Sequence, residues 1–344
     1  MEKVLEASGL ALGYKLGRKG MKVVHEGLNL ALHAGESVAL LGANGSGKST
    51  LIKTLCGFIP SLAGTVFLLG KPLAQYSKRD LSRFIGVVLT ERVADGGLTV
   101  WDLVSLGRYP YTGFFGVLRK EDTIAVERAM DIIGIRDMAG RYISQLSDGE
   151  RQKAMIAKCL AQECPVIILD EPTAFLDVRS RIEITDILHR LAMEEGKSIL
   201  MSTHDFELAL QLSDTLWIFP KDREFVSGTP EDLIFSGEMD VVFGTGTNVL
   251  FDRNMGAFRA KSGGGTDILA EGNGTELFWL KNALRRNGFC PVEESPRPFG
   301  KVVISDSVTI TFCRGEHTVR VASFGALLDL LRKLRKETDK MGQS

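Results

Sequence analysis

The sequence predicts an α/β fold built on a parallel sheet, followed by a small α+β module, and three observations support this prediction. The strand pattern SVALL (37–41) runs into a glycine-rich loop and then into a stretch with helical apolar spacing. Two apolar strand patterns, VIIL (166–169) and SILM (198–201), flank a helical stretch, which is the alternation of a βαβ unit. After Gly244, glycine-rich turns separate short strand patterns, which indicates a second domain.

The first domain is predicted to span residues 1–244. Its first part, 4–67, shows short strand patterns separated by turn residues, and about 95–150 shows apolar residues at helical spacing, which predicts a helical subdomain. The pattern DTLWIFP (214–220) predicts a further strand, and GTPEDLI (228–234) predicts a short capped helix.

The second domain, residues 245–344, is predicted to be an α+β accessory domain of unassigned role. Its elements are a strand (256–262), a helix (276–289), two or three strands (301–322) and a final helix (324–337). We find no recognisable catalytic cluster in this domain.

The composition is that of an ordinary globular protein without a nucleic-acid partner: 44% hydrophobic, 25% charged, with a formal net charge of −1. The five cysteines show no CxxC spacing, which favours a reducing compartment over a disulfide framework. The spacing of Cys290, Cys313 and His317 matches no common metal site. The N-terminus does not match a signal peptide, and no apolar run approaches the roughly 18 to 20 residues of a membrane-spanning helix.

A phosphate-binding loop is predicted at Gly42–Ser49, where GANGSGKS matches the P-loop pattern G-x-x-x-x-G-K-[ST] between a strand and a helix. Glycines let successive backbone N–H groups face the phosphates, and the helix adds its positive N-terminal end. Lys48 would reach the β- and γ-phosphates, and the Ser49 hydroxyl would hold Mg²⁺. The predicted cofactors are ATP and Mg²⁺, and the nucleotide-binding residues of the loop are Gly42, Ala43, Asn44, Gly45, Ser46, Gly47, Lys48, Ser49 and Thr50.

Two acidic residues follow the apolar strand pattern VIIL (166–169). Asp170 can bind Mg²⁺ through water, and Glu171 can orient and deprotonate the attacking water. Two carboxylates at the end of an edge strand would not by themselves indicate catalysis, but beside a P-loop they favour an ATP-hydrolysing site.

Three further motifs resemble those of the ATP-binding cassette (ABC) ATPases over about 4–243. LSDGE (146–150) followed by Arg-Gln resembles the LSGGQ signature, AFLD (174–177) resembles the D-loop, and STHD (202–205) resembles the H-loop. Tyr14 occupies the place of the aromatic residue that stacks on adenine. The resemblance implies an ABC-type P-loop NTPase core.

The resemblance also implies a head-to-tail homodimer with two ATP molecules at the interface, in which the signature of one copy completes the site of the other. His204 would sense the γ-phosphate and hold the attacking water. The catalytic residues that the resemblance implies are Glu171, His204 and Lys48. It also implies that Ser147, Asp148, Gly149 and Glu150 form the signature and that Asp177 belongs to the D-loop. The implied metal-binding residues are Ser49, Asp170 and Glu91.

The sequence departs from the family pattern in two places. Glu91 stands where the family usually has the Q-loop glutamine; it can still ligand Mg²⁺ or water but cannot donate a hydrogen bond. Asp148 and Glu150 replace a glycine and the glutamine of the signature. Because carboxylates beside a phosphate-binding helix end would repel ATP, we expect both side chains to point away or to pair with Arg151 or Lys153.

The segment LTVWDLVSLGRYPYTG (98–113) resembles the cobalamin, haem and ferric-siderophore importer ATPases. That resemblance implies two multi-spanning permease subunits, an external substrate-binding protein, and a peripheral position on the cytoplasmic face of the inner membrane. Two alternatives remain open: a soluble ABC ATPase without a membrane partner, and an ATPase regulated by a ligand of residues 245–344. That domain could equally be a packing appendage, and the cargo itself is not determined by this chain.

Overall fold

The computed structural model describes residues 2–15, 20–89, 97–113, 115–220, 224–244, 249–253, 255–260, 264–305 and 309–341. The chain forms two compact units, Met1–Phe258 and Arg259–Ser344. No helix in these described ranges has both the length and the apolar character needed to cross a bilayer.

The first unit contains both strands and helices, as an α/β fold requires. In chain order they are β1 (Lys3–Lys15), β2 (Met21–His33), β3 (Ser37–Gly42), α1 (Lys48–Leu55), β4 (Ala63–Leu68), β5 (Lys71–Pro72), α2 (Lys78–Phe84), β6 (Ile85–Val88), α3 (Val100–Ser105), α4 (Lys120–Ile133), α5 (Asp148–Ala161), β7 (Val166–Asp170), α6 (Val178–Met193), β8 (Ser198–Ser202), α7 (Phe206–Leu212), β9 (Thr215–Phe219), β10 (Val226–Gly228), α8 (Pro230–Phe235), α9 (Glu238–Gly244), β11 (Val249–Asp252) and β12 (Ala257–Ala260).

The central sheet has the order β10-β9-β3-β8-β7-β6, and all its neighbours are parallel except β10 and β9. Alternate residues of β3 lie in different hydrophobic clusters. Val38 and Leu40 share a cluster with residues of α1, β1 and β2, whereas Ala39 and Leu41 share a cluster with residues of α5 and α6. Both faces of the sheet are therefore covered, which explains why its strands are continuous apolar runs. The predicted α/β fold is confirmed.

The antiparallel sheet has the order β2-β1-β4-β5. Its first two strands are 13 residues long, whereas the sequence pattern predicts shorter ones. Gly9 and Gly13 interrupt the pattern in β1, but the pairing continues past them through register shifts. Glycine tolerates the irregular backbone of a bulge, so a turn residue here bends a strand instead of ending it.

The helices α3, α4 and α5 form the predicted helical subdomain, and the buried Arg108 joins them. Its Nε donates to Asp122 Oδ1 at 2.9 Å, and its Nη1 donates to the Ala161 carbonyl at 2.8 Å and to Glu163 Oε2 at 2.6 Å. The guanidinium also lies over the Tyr111 ring at 4.2 Å. One side chain therefore connects the segment after α3, the first turn of α4 and the end of α5.

The first unit ends later in the chain than the sequence pattern predicts, because it includes aromatic residues of the β11–β12 hairpin. Phe251 and Phe258 pack against Phe206 of α7 with ring centroids 5.6 Å and 4.6 Å away, and against each other at 5.2 Å. The units divide after Phe258, not after Gly244. Glycines mark a change of local pattern, but these aromatic contacts decide which core the segment joins.

The second unit is a five-stranded sheet of order β14-β13-β15-β16-β17, with parallel pairing around β13 and antiparallel pairing from β15 to β17. Apolar residues of both its helices, Leu280, Leu284, Leu327 and Leu331, share one cluster with the same face of the sheet. Its elements are β13 (Thr266–Glu271), α10 (Gly274–Arg286), β14 (Phe289–Val292), β15 (Lys301–Ile304), β16 (Ile310–Arg314), β17 (His317–Val321) and α11 (Phe324–Met341).

Candidate functional site

The glycine-rich loop connects the carboxyl end of β3 to α1. Gly45 and Gly47 have φ of 78° and 101°, in the left-handed region that favours glycine. A Cβ at Gly47 would lie 2.6 Å from Cγ1 of Val24 and 3.2 Å from Cδ2 of His25, so a larger residue would collide with β2. The loop residues Ala43, Asn44, Gly45 and Ser49 are exposed, whereas Ser46, Lys48 and Thr50 are buried.

Lys48 folds back over this loop. Its Nζ donates to the Gly42 carbonyl at 2.8 Å and to the Ala43 carbonyl at 3.4 Å. Burial lowers the pKa of Lys48, and the carboxylates of Glu171 and Asp170 oppose that effect. The ammonium group and the two carboxylates therefore belong to one electrostatic cluster.

The pairing of β7 with β8 places Asp170 opposite Ser202. The Ser202 hydroxyl donates to Asp170 Oδ1 at 2.7 Å and accepts from the Glu171 N–H at 2.9 Å. Glu171 has a φ of 51°, which is uncommon for a residue other than glycine. The hydrogen bond from its N–H to Ser202 stabilises this conformation.

The side chains of Glu171 and His204 meet at the end of β8. His204 Nε2 lies 2.8 Å from Glu171 Oε1, and the two side chains are 46% and 29% exposed. A carboxylate only accepts hydrogen bonds, so Nε2 carries the proton. This contact leaves Glu171 Oε2 as a proton acceptor beside a fixed donor.

Tyr14, which the resemblance assigns to adenine stacking, lies near the loop. Its hydroxyl is 2.8 Å from Thr50 Oγ1 in α1. The side chain is 42% exposed, so its ring remains accessible. The hydrogen bond positions the ring beside the start of α1.

His25 contacts the loop, although no sequence motif points to this residue. Its Nε2 lies 2.6 Å from the Ser46 carbonyl oxygen, and its ring packs edge-on against Phe219 with centroids 4.6 Å apart. A carbonyl only accepts, so Nε2 donates. In a trans peptide the N–H points opposite to the carbonyl, so this bond turns the Gly47 N–H away from β2. Only the packing of β2 against the loop could reveal this contact.

The signature residues begin α5. Ser147 is the N-cap, and Glu150 completes a capping box with it, because each side chain bonds the other's backbone nitrogen. Asp148 pairs with Arg151 at 3.2 Å, as expected. Glu150 pairs with neither expected cation, because it bonds Ser147 and lies 3.6 Å from Arg141, while Lys153 bonds Glu183 at 2.9 Å. That part of the expectation is wrong.

The D-loop residue Asp177 is the N-cap of α6 and accepts from the Ser180 N–H at 2.9 Å. Hydrogen bonds from the backbone and hydroxyl of Ser180 lower the pKa of Asp177. A Cβ on Gly149 would lie 2.8 Å from Ser180 Oγ, so the signature helix and the start of α6 approach closely there. A larger residue at this signature position would require the Ser180 side chain to move.

Two further groups of residues were considered from the sequence, Glu91 and the set Cys290, Cys313 and His317. Glu91 lies outside the described residues, so the predicted Q-loop ligand stays a prediction. Within the described residues, no group of three His, Cys, Asp or Glu side chains forms a metal site. Cys290, Cys313 and His317 lie on β14, β16 and β17.

The fold and the arrangement of Lys48, Asp170 and Glu171 define a P-loop nucleotide-binding class of protein. A family model for ABC transporters matches residues 25–174. A second model, for the iron ABC transporter C-terminal domain, matches residues 264–332. The two matched segments lie in different units, one with the loop and the other in the five-stranded domain.

The chain is 40% identical over 231 residues to an uncharacterized ABC transporter ATP-binding protein of Methanocaldococcus jannaschii, across 67% of this chain and 78% of that protein. It is 38% identical over 247 residues to YusV, a probable siderophore transport system ATP-binding protein of Bacillus subtilis, across 72% and 88%. The structure of cbiO1 from Clostridium perfringens, part of the ABC transporter complex cbiONQ, superposes with a TM-score of 0.60 at 27% identity, across 71% and 97%. The chain belongs to the family of ABC transporter ATP-binding proteins, and it is an ATP-binding ATPase.

Proposed function

We propose that this chain is the ATP-hydrolysing subunit of an ABC importer whose cargo is a metal chelate: a ferric siderophore, haem or cobalamin. The observation that carries the proposal is the Glu171–His204 hydrogen bond of 2.8 Å, beside the loop that holds Lys48. It pairs a carboxylate base with a fixed donor where a γ-phosphate would lie. The names of the relatives, one of them a siderophore transport protein, favour the cargo class.

In the proposed site, Lys48 exchanges its bonds to the Gly42 and Ala43 carbonyls for the β- and γ-phosphates. The N–H groups of the exposed loop and the start of α1 bind the remaining phosphate oxygens. Tyr14 stacks on adenine with the ring that its bond to Thr50 positions. These groups bind and orient ATP before any chemistry occurs.

A divalent cation is implied by this class of site, and the residues present fit one. Asp170 brings a buried carboxylate and Ser49 an exposed hydroxyl to the loop, and oxygen donors of this kind suit Mg²⁺. Mg²⁺ bound there would reduce the negative charge on the phosphates. Glu91 remains a further proposed ligand.

Hydrolysis then requires a base aligned with water. Glu171 Oε2 accepts a proton from water as the water oxygen bonds to the γ-phosphorus, and the bond from that phosphorus to the β–γ bridging oxygen breaks to release ADP. His204 donates to Oε1 and so holds the carboxylate in place. In this proposal His204 also senses the γ-phosphate of bound ATP.

A second copy completes the site in this proposal. Ser147, Asp148, Gly149 and Glu150 of one copy close over the ATP bound by the other, and the N-terminal end of α5 faces the γ-phosphate. Asp177 lies at the same interface. Closure and reopening of this homodimer move two multi-spanning permease subunits, while an external binding protein delivers the cargo and the chain stays peripheral on the cytoplasmic face.

The second unit is proposed to be an accessory domain of this importer. Its match to the iron ABC transporter C-terminal domain model favours an iron-related system over a soluble ABC ATPase that acts without a membrane partner. Ligand control of the ATPase through this unit remains a second candidate, since its five-stranded sheet is a complete domain with its own core.

The experiment that tests the proposal has two arms. Lys48→Ala should abolish ATP turnover and most nucleotide binding, and unchanged turnover would overturn the ATP site. The chain would then be co-expressed with its permease, reconstituted in proteoliposomes and supplied with binding protein and each of three probes: a ferric siderophore, haem and cobalamin. ATP-dependent uptake of one probe supports the importer. Recovery of the chain without any membrane subunit, together with no uptake, would overturn it.

A further inference from the structure

A carboxylate holds the hydroxyl of the signature serine. Glu150 Oε2 lies 2.8 Å from the Ser147 backbone nitrogen and 2.9 Å from its hydroxyl oxygen. The same hydroxyl accepts from the Glu150 N–H at 3.2 Å. A hydroxyl has a single proton, and here that proton points to Glu150. It cannot be donated to a phosphate at the same time.

Arg141 approaches Glu150 from outside α5. Its Nη1 lies 3.6 Å from Glu150 Oε1, and the two side chains are 54% and 28% exposed. Hydrogen bonds from the backbone and hydroxyl of Ser147 hold the pKa of Glu150 below its usual range, and Arg141 and Lys153 add to that effect. Glu150 is therefore ionised at neutral pH, and Arg141 is the cation nearest to its outer oxygen.

The position of this charge matters if a phosphate binds at Ser147. A phosphate oxygen at hydrogen-bond distance from the Ser147 hydroxyl would lie within roughly 6 Å of the Glu150 carboxylate, where like charges repel appreciably. A glutamine in the same conformation would present the same acceptor oxygen to Ser147 without the charge. With glutamine at this position the capping box with Ser147 would remain, but the phosphate would no longer be repelled.

We propose that Glu150 weakens the closure of one copy's signature on the ATP of the second copy, and that Arg141 partly offsets this effect. The inference rests on the head-to-tail dimer proposed above. Glu150 then positions the Ser147 hydroxyl, and Glu150 and Arg141 together set the charge of the site that the two copies share. The wild-type dimer therefore needs a higher ATP concentration to close, and reopens more readily, than the same protein with a neutral side chain at Glu150.

The test measures the ATP concentration at which half of the full-length chain is dimeric, by size exclusion with light scattering. All variants carry Glu171→Gln, so that bound ATP persists. Glu150→Gln should lower this midpoint by at least about threefold, and Arg141→Met should raise it by a similar factor. In the double variant the midpoint should match that of Glu150→Gln alone, because no carboxylate remains for Arg141 to offset.

Two controls separate charge from structure. Glu195→Gln removes a carboxylate that pairs with Arg128 at 2.8 Å, outside the signature residues, and should leave the midpoint unchanged. The gap between the parent and Glu150→Gln should shrink when salt is raised towards 1 M, where the Debye length falls to about 3 Å. A defect in folding would raise the midpoint, whereas the expected effect of Glu150→Gln is to lower it.

The outcomes show separately whether the role of Glu150 or the proposed head-to-tail dimer is wrong. If the Glu171→Gln parent dimerises with ATP but Glu150→Gln leaves the midpoint unchanged, only this inference is overturned. If Arg141→Met raises the midpoint equally in both backgrounds, the offsetting role of Arg141 is wrong. If the parent stays monomeric at every ATP concentration, the head-to-tail dimer and this inference both fail.

Discussion

The Nε2 atom of His204 lies 2.8 Å from Oε1 of Glu171. The two residues are far apart in the chain, and the parallel pairing of β7 with β8 brings them together. Ser202 links the ends of the two strands, because its hydroxyl donates to Asp170 and accepts from the Glu171 N–H. The geometry therefore couples the proposed base, its histidine partner and the proposed metal ligand through adjacent strand ends.

Glu171→Gln should reduce ATP hydrolysis by about 10²- to 10⁴-fold while ATP binding persists, because the amide cannot accept the water's proton. Steady-state phosphate release and titration with a fluorescent nucleotide measure the two effects. Glu36→Gln is the matched control, since it disrupts another histidine–carboxylate contact, His33 with Glu36 at 2.9 Å, outside the site. Equal losses in both variants would contradict the assignment of Glu171.

His25→Leu should raise the KM for ATP by about 2- to 10-fold with a smaller change in kcat, because it removes one hydrogen bond to the Ser46 carbonyl. His25→Gln, which can still donate, should recover part of the loss. His189→Leu is the matched control, since His189 also bonds a backbone carbonyl, that of Leu212 at 3.0 Å, away from the loop. A KM that stays unchanged in His25→Leu would show that the loop does not depend on this bond.

A chain ending at Phe258 should fold as a stable unit, whereas a chain ending at Gly244 should be less stable. The shorter chain lacks Phe251 and Phe258, and it exposes the Phe206 ring that they cover. Loss of a buried phenylalanine side chain costs about 3–5 kcal/mol. Thermal unfolding and soluble yield of the two truncated chains test this. Equal melting temperatures would place the hairpin outside the core.

Arg108→Met should lower the free energy of unfolding by about 3–5 kcal/mol, because it leaves the Asp122 carboxylate buried without its cation. Arg128→Met breaks the more exposed pair with Glu195 and should cost at most about 1 kcal/mol. Urea unfolding of both variants measures the difference. Similar costs for the two substitutions would contradict a structural role for the buried pair.

The same pair predicts a pH dependence. Burial alone would raise the pKa of Asp122, but hydrogen bonds from Arg119 and Arg108 and the charge of Arg108 outweigh burial and hold it below its usual value. A lowered pKa stabilises the folded state at neutral pH, and this contribution is lost as pH falls below about 4. The stability gap between wild type and Arg108→Met should therefore narrow on acidification, and a constant gap would contradict the ionised pair.

Local pattern was enough to predict the class of fold and most of the proposed site. The loop at Gly42–Ser49 and the acidic end of β7 are contiguous motifs, and each depends on a strand, a turn and a helix that neighbouring residues specify. The apolar runs of β3, β7 and β8 likewise predict buried parallel strands because both faces of that sheet are covered.

The tertiary structure decided the contacts between residues that are distant in the chain. Packing of β2 against the loop and Phe219 brings His25 to Ser46, and packing on Phe206 assigns Phe251 and Phe258 to the first unit. The partner of Glu150 was also unpredictable, because Arg141 reaches it from another segment while Lys153 is held by Glu183. Motifs that are continuous in sequence determine their own chemistry, whereas strand pairing and side-chain packing determine which distant groups surround them.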